Sequence, residues 1–256
     1  MRRRIRFEIV LVLGLSLGQS AVYSIVAITD RLTRDTALAQ QTAVLNPSRS
    51  SREVFDLLYQ LLGIGFALVP VALACYLLWS AQAPRLGRLG IDARHLGRDT
   101  GAGLLLALAI GAAGIGVYLA GRALGLTVAI DPAGLGTYWW TVPVLLLAAA
   151  RAGIEEEVLA IGYLVARLRD LGWRDWPIIL ASAVLRGAYH LYQGIGPFVG
   201  NLLMGLVFAW LYVRGPRWFR GRTLPLVIAH FAIDAVAFTG YPLAVALWPG
   251  LFGLPG

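Results

Sequence analysis

The chain has 256 residues, 58% of them hydrophobic and 14% charged, with a mean hydropathy of +0.71 and a net charge of +8. A soluble domain of this length cannot hide so much apolar surface, so the composition indicates a polytopic, all-α membrane protein, and long apolar runs without period-2 alternation exclude a β-barrel. Every basic side chain in the +8 balance is arginine, set in short segments between apolar runs, a pattern that fits membrane orientation and not a nucleic-acid partner.

Seven spanning helices are expected, at 6–29, 54–80, 100–124, 138–168, 176–194, 197–213 and 224–240. The first follows "MRRRIR" and has an apolar stretch too long for a signal peptide, so it reads as a retained helix. The segment 30–53 carries charges of both signs and reads as a polar outer loop. The 241–256 tail, uncharged and interrupted by Pro and Gly, reads as a half-helix at the surface. Arg2, Arg3, Arg4 and Arg6, the 85–98 arginines, Arg167, Arg169 and Arg174, and the 214–222 arginines fall on one side of this scheme. The positive-inside rule makes that side the cytoplasm, with the N-terminus inside. A single cysteine, Cys75, excludes a disulfide or a cysteine-based metal site within the chain.

Charged groups at membrane depth are costly and mark function. They concentrate in three of the expected helices. The fourth holds Arg151 with Glu155, Glu156 and Glu157; the fifth holds Arg186 and His190; the seventh holds His230 and Asp234. The i,i+4 spacing puts Arg151 with Glu155, Arg186 with His190, and His230 with Asp234 on shared faces. Glu156 and Glu157 point about 100° apart, so one can face a cavity while the other binds a neighbouring helix. At a rise of about 1.5 Å per residue, Glu156, His190 and Asp234 reach one level, with His230 about a turn away. A buried polar network that only locks helices is the competing reading, but so many ionisable groups at one depth exceed what packing needs.

"EEEVLAIGYL", "RGAYH" and "HFAID" resemble the three motifs of the CAAX prenyl protease and bacteriocin-processing (CPBP, or Abi) family. That pattern is a diglutamate followed by x-x-x-Arg-Gly, then Phe-x-x-x-His, then His-x-x-x-Asn or Asp. Gly162 sets the register, so the diglutamate is Glu156 and Glu157, and His190, His230 and Asp234 match the other motifs. Two positions depart: the family's arginine falls on Ile161, and its phenylalanine on Arg186. The resemblance covers about 138–240 and divides the chain into three N-terminal spans (1–137), a four-span catalytic core (138–240) and a short apolar tail (241–256).

The resemblance implies peptide-bond hydrolysis within a cell membrane, of bacterial type, on a peptide or membrane-protein substrate and with no nucleic acid. Glu156, Glu157, His190, His230 and Asp234 are the implied catalytic residues, with Arg186 and Arg151 as charge partners. A carboxylate beside a histidine can deprotonate water, which makes Glu156 the base and His190 its aid, with His230 and Asp234 at the oxyanion. Glu156, His190, His230 and Asp234 also offer ligands for zinc or another divalent metal, and a metal-free mechanism stands beside that alternative. A non-catalytic scaffold that binds a membrane peptide, as in bacteriocin self-immunity, and a proton or ion pathway are the other readings. The chain lacks H-E-x-x-H and G-x-S-x-G, the sequence marks of zincins and of hydrolases with a nucleophile elbow.

Overall fold

The computed structural model describes residues 1–248 and 250. The chain is 73% helical. Helices α1 (Arg2–Gly14) and α2 (Leu17–Leu32) are followed by strand β1 (Thr42–Val44), then α3 (Glu53–Ala67), α4 (Val69–Leu78) and α5 (Leu96–Ala123). Strand β2 (Ala129–Asp131) precedes α6 (Thr141–Glu156), which runs through a π-helical segment, Glu157–Tyr163, into α7 (Leu164–Asp170). Helices α8 (Asp175–His190), α9 (Ile195–Arg214) and α10 (Leu224–Leu247) complete the described fold.

Four helical stretches are long and apolar enough to cross a membrane: Glu53–Leu78, Leu96–Ala123, Ile195–Arg214 and Leu224–Tyr241. The α1–α2 pair is a fifth if its two halves count as one span, but they meet at a 56° bend. The continuous first helix expected over 6–29 is therefore broken. At the break, the Ser16 hydroxyl donates 2.7 Å to the Val12 carbonyl, satisfying a group that the ended helix leaves free. The expected count of seven is not reached on these criteria. The α6–α7 unit carries Arg151 and three consecutive glutamates, and α8 has only 16 residues, under the roughly 20 that a span needs. The expected helix break at 241 does not occur, since α10 continues to Leu247. Residues 249 and 251–256 of the expected half-helix lie outside the described residues.

The connections sort into two sets. β1 and β2 pair in parallel, Thr42 opposite Ala129 and Val44 opposite Asp131, so the loop before α3 and the loop before α6 share a side. Thr127 bridges Gly194, which adds the α8–α9 turn to that side. On the opposite side, Glu8 binds Arg167 at 2.6 Å and Arg88 binds Asp170 at 2.7 Å. Arg222 there pairs with Asp92 at 3.1 Å and with Asp99. This grouping is the one the arginine distribution implies.

The core lies where α8 packs along α9 and α10 packs along α5 and α6. Two glycines let these backbones close up. A Cβ on Gly153 of α6 would stand 3.0 Å from the Val227 carbonyl and 3.1 Å from the Phe231 nitrogen of α10. A Cβ on Gly205 of α9 would meet the Ala183 Cα of α8 at 2.8 Å. Close approach of these helices is what brings α6, α8 and α10 to a common polar site.

Candidate active site

Glu156 is the last residue of α6, and Glu157 opens the π-helical segment. A π-turn bonds i to i+5 and widens the helix, an arrangement that recurs at functional sites. The whole segment Glu157–Tyr163 is buried. Both carboxylates reach Arg186 and His230, but Glu157 makes the closer contacts and Glu156 alone also meets Tyr189.

Glu157 is sealed, with no solvent exposure. One of its oxygens, Oε1, accepts from the Arg186 guanidinium and, at 2.8 Å, from Nδ1 of His230. Arg186 is equally sealed, and its guanidinium lies 5.4 Å from the Phe208 ring centroid. The pairing is single-pronged, leaving Glu157 Oε2 and Arg186 Nε without hydrogen-bond partners. Ile161, at the position of the family's arginine, packs in the apolar cluster that contains Phe208, Ile178 and Ile179.

Glu156 is only partly covered. Its Oε2 accepts 2.7 Å from the Tyr189 hydroxyl and 3.5 Å from Arg186 Nη1. His230 Nε2 stands 3.9 Å from the same oxygen and 3.4 Å from Asp234 Oδ2. His230 thus sits between Glu157 on one ring nitrogen and Asp234 on the other. His190, the last residue of α8, has its Nδ1 3.1 Å from the Arg186 carbonyl. A carbonyl only accepts, so Nδ1 carries the proton and Nε2 is left as a base or ligand atom. Its ring leans on Tyr189, with centroids 4.7 Å apart.

The structure brings together Glu156, Glu157, His230, Asp234 and Arg186, with His190 at the end of the same helix as Arg186. Arg151 pairs with Glu155 at 2.8 Å along α6 and touches none of the other site residues by hydrogen bond. Tyr189 is the partner that sequence reading missed. Its signal was a hydroxyl in an apolar helix beside His190, because a buried tyrosine O–H needs an acceptor.

Among the described residues no set of three or more His, Cys, Asp or Glu side chains is arranged to hold a metal ion. The reason lies in the network: the Glu156 oxygen nearest the histidines already accepts from Tyr189 and Arg186, and His230 spends Nδ1 on Glu157. Of the expected set, Glu156 and Asp234 both lie within 3.9 Å of His230 Nε2, while His190 bonds the Arg186 carbonyl.

These features define a class: an α-helical membrane protein whose packed helices enclose a carboxylate–histidine site. Residues 138–236 match the family model described as Type II CAAX prenyl endopeptidase Rce1-like. The match begins just before α6 and ends just after Asp234, so it takes in every site residue named above, and it agrees with the family resemblance of the three motifs. No curated protein and no solved structure matches the chain.

Proposed function

We propose that the chain is an intramembrane endopeptidase in which Glu156 activates the attacking water. One observation carries this reading. Of the two adjacent glutamates, Glu157 is sealed against Arg186 and His230, while Glu156 remains partly accessible at the level of both histidines. A general base must reach water, and only Glu156 meets that requirement.

The water oxygen bonds to the scissile carbonyl carbon, and its proton passes to Glu156. Collapse of the tetrahedral intermediate breaks the C–N bond, and Glu156 returns the proton to the leaving amine. Tyr189 holds Glu156 in place through its 2.7 Å hydrogen bond. His230 donates from Nε2 to the oxyanion as an imidazolium, with Glu157 and Asp234 as the flanking counter-charges that this form requires. Asp234, as a carboxylate, cannot donate to the oxyanion itself and acts by orienting His230. His190 offers Nε2 to the same water. Glu157 and Arg186 are positioning residues: they fix the ring of His230 and do not touch substrate.

The test is cleavage of membrane-peptide libraries by the purified protein in liposomes. Glu156→Gln should abolish cleavage while the protein still inserts and folds. Cleavage that persists in Glu156→Gln removes Glu156 as the base. A wild-type protein that binds peptides without cutting them supports the scaffold reading instead.

A further inference from the structure

A second site lies on the arginine-rich side, away from the carboxylates. At the end of the Glu53–Leu78 span, Cys75, Tyr76, Trp79, Arg85 and Leu86 line a cavity of about 520 Å³. Cys75 and Leu86 are half-buried and pack against the core cluster, while Tyr76 and Trp79 stand exposed. Arg85 is exposed, and its guanidinium lies 6.0 Å from the Trp79 ring centroid.

Among the described residues Arg85, like Arg217, lacks the ion pair that fastens other arginines on this side, and Arg85 is the one that lines the cavity described above. Arg88 is held by Asp170, Arg167 by Glu8 and Asp170, and Arg222 by Asp92 and Asp99. Among the described residues, Arg85 has no acidic partner. The backbone of its loop is nonetheless fastened at several points. The Ser80 nitrogen donates 2.9 Å to the Arg85 carbonyl, the Gly87 nitrogen donates 2.9 Å to Pro84, and the Thr223 hydroxyl and nitrogen bond the Leu89 and Gly90 carbonyls. The result is an unpaired cation on a fastened loop backbone, beside an apolar and aromatic trough at the boundary where a spanning helix ends.

We propose that this cavity binds an anionic phospholipid, its phosphate on Arg85 and the start of an acyl chain against Cys75, Tyr76 and Leu86. The charge and the lining each select one part of that ligand. A free cation at the headgroup level attracts a phosphate, and aromatic side chains favour the same level. The apolar floor is complementary to a chain and offers nothing to a small soluble anion. The site is independent of the proteolytic reading, since none of its residues belongs to the carboxylate–histidine network.

Native mass spectrometry of the detergent-solubilised full chain, titrated with phosphatidylglycerol or phosphatidylcholine, tests it. Wild type should retain phosphatidylglycerol in preference to phosphatidylcholine. Arg85→Gln should weaken phosphatidylglycerol binding about five-fold, the size of one interfacial arginine's attraction. Trp79→Ala should weaken both lipids. Arg217→Gln, a control at another exposed arginine on the same side, should leave binding unchanged. Unchanged thermal unfolding in Arg85→Gln separates lost binding from lost fold. Equal retention of the two lipids, equal losses in Arg85→Gln and Arg217→Gln, or glycerol 3-phosphate binding as tightly as phosphatidylglycerol would each overturn the proposal.

Discussion

Arg186 of α8 and Glu157 of the π-helical segment form an ion pair sealed from solvent on both sides. In the motif pattern that the sequence resembles, the guanidinium lies four residues after this glutamate, where Ile161 stands. The Arg186 guanidinium lies 5.4 Å from the Phe208 ring centroid, and Ile161 belongs to the same apolar cluster as Phe208, so an exchange of charge and bulk between the two positions is open to test. Removing one partner of a sealed pair strands the other, so Arg186→Phe should destabilise the protein by about 3–5 kcal/mol. Adding Ile161→Arg should restore a large part of that loss. Thermal unfolding of the wild type, both single variants and the double variant closes the cycle. Additive effects would show that the positions are not coupled.

The two adjacent glutamates should separate in experiment. Glu156→Gln should lower turnover at least about 100-fold with little change in unfolding temperature, because the proposed base is partly accessible and the amide keeps an oxygen for Tyr189. Glu157→Gln should lower both, since it removes the nearer counter-ion of the buried Arg186 and leaves only Glu156 at 3.5 Å. A Glu157→Gln variant as stable as wild type would contradict its positioning role.

Tyr189→Phe removes the one hydroxyl that holds Glu156. Loss of one hydrogen bond of about 1–1.5 kcal/mol corresponds to roughly ten-fold in turnover. Peptide-cleavage rates over a range of substrate concentrations check this. The effect should fall on turnover and not on apparent affinity.

Acid should loosen the arginine-rich side. Burial pushes the Asp92 carboxyl up, but the Arg94 backbone N–H and the Arg222 guanidinium outweigh it, so its pKa lies below the ordinary 3.8. A carboxylate with a depressed folded pKa contributes stability that is complete above the ordinary value and is lost as pH falls through the folded one. Wild type should therefore lose stability below about pH 4, and Asp92→Asn should be less stable by about 1–2 kcal/mol near neutrality with a flatter acid limb. Thermal unfolding in detergent from about pH 7 down to about pH 3 measures both. Parallel curves for the two proteins would remove Asp92 from the acid response.

Sidedness is testable with reporter fusions after residues 40, 90, 130, 172 and 218, which should read out, in, out, in and in. The ribbon of β1 and β2 requires fusions at 40 and 130 to agree. Opposite readings at those two positions would break the topology.

The long apolar helices and the site's three helical contributors were legible because hydropathy and i,i+4 spacing are local properties. The partition between Glu156 and Glu157 was legible only as an angle. Which of them was sealed depended on Arg186 arriving from another helix. The β1–β2 ribbon was not legible, since three-residue strands carry no period and pair across the whole of residues 45–128. The break between α1 and α2 gave little warning, because Gly14 and Ser16 are tolerated within a helix. That Tyr189 and Arg186 both donate to Glu156 was not legible, because both arrive from another helix.

The π-helical turn also sets a phase. Such a turn holds one residue more than an α-helix of the same span would need. Residues before it, Glu155 and Glu156, face one set of neighbours, and Arg167 beyond it faces Glu8 and the Leu77 carbonyl. Deleting a single residue between Glu157 and Tyr163 would let the turn relax to an ordinary α-helix and rotate one flank against the other by about 100°. The Glu156 contacts and the Glu8 anchor could then no longer both be met by one continuous rod. The surplus residue acts as an angular offset that allows one helix to serve two walls of the bundle at once.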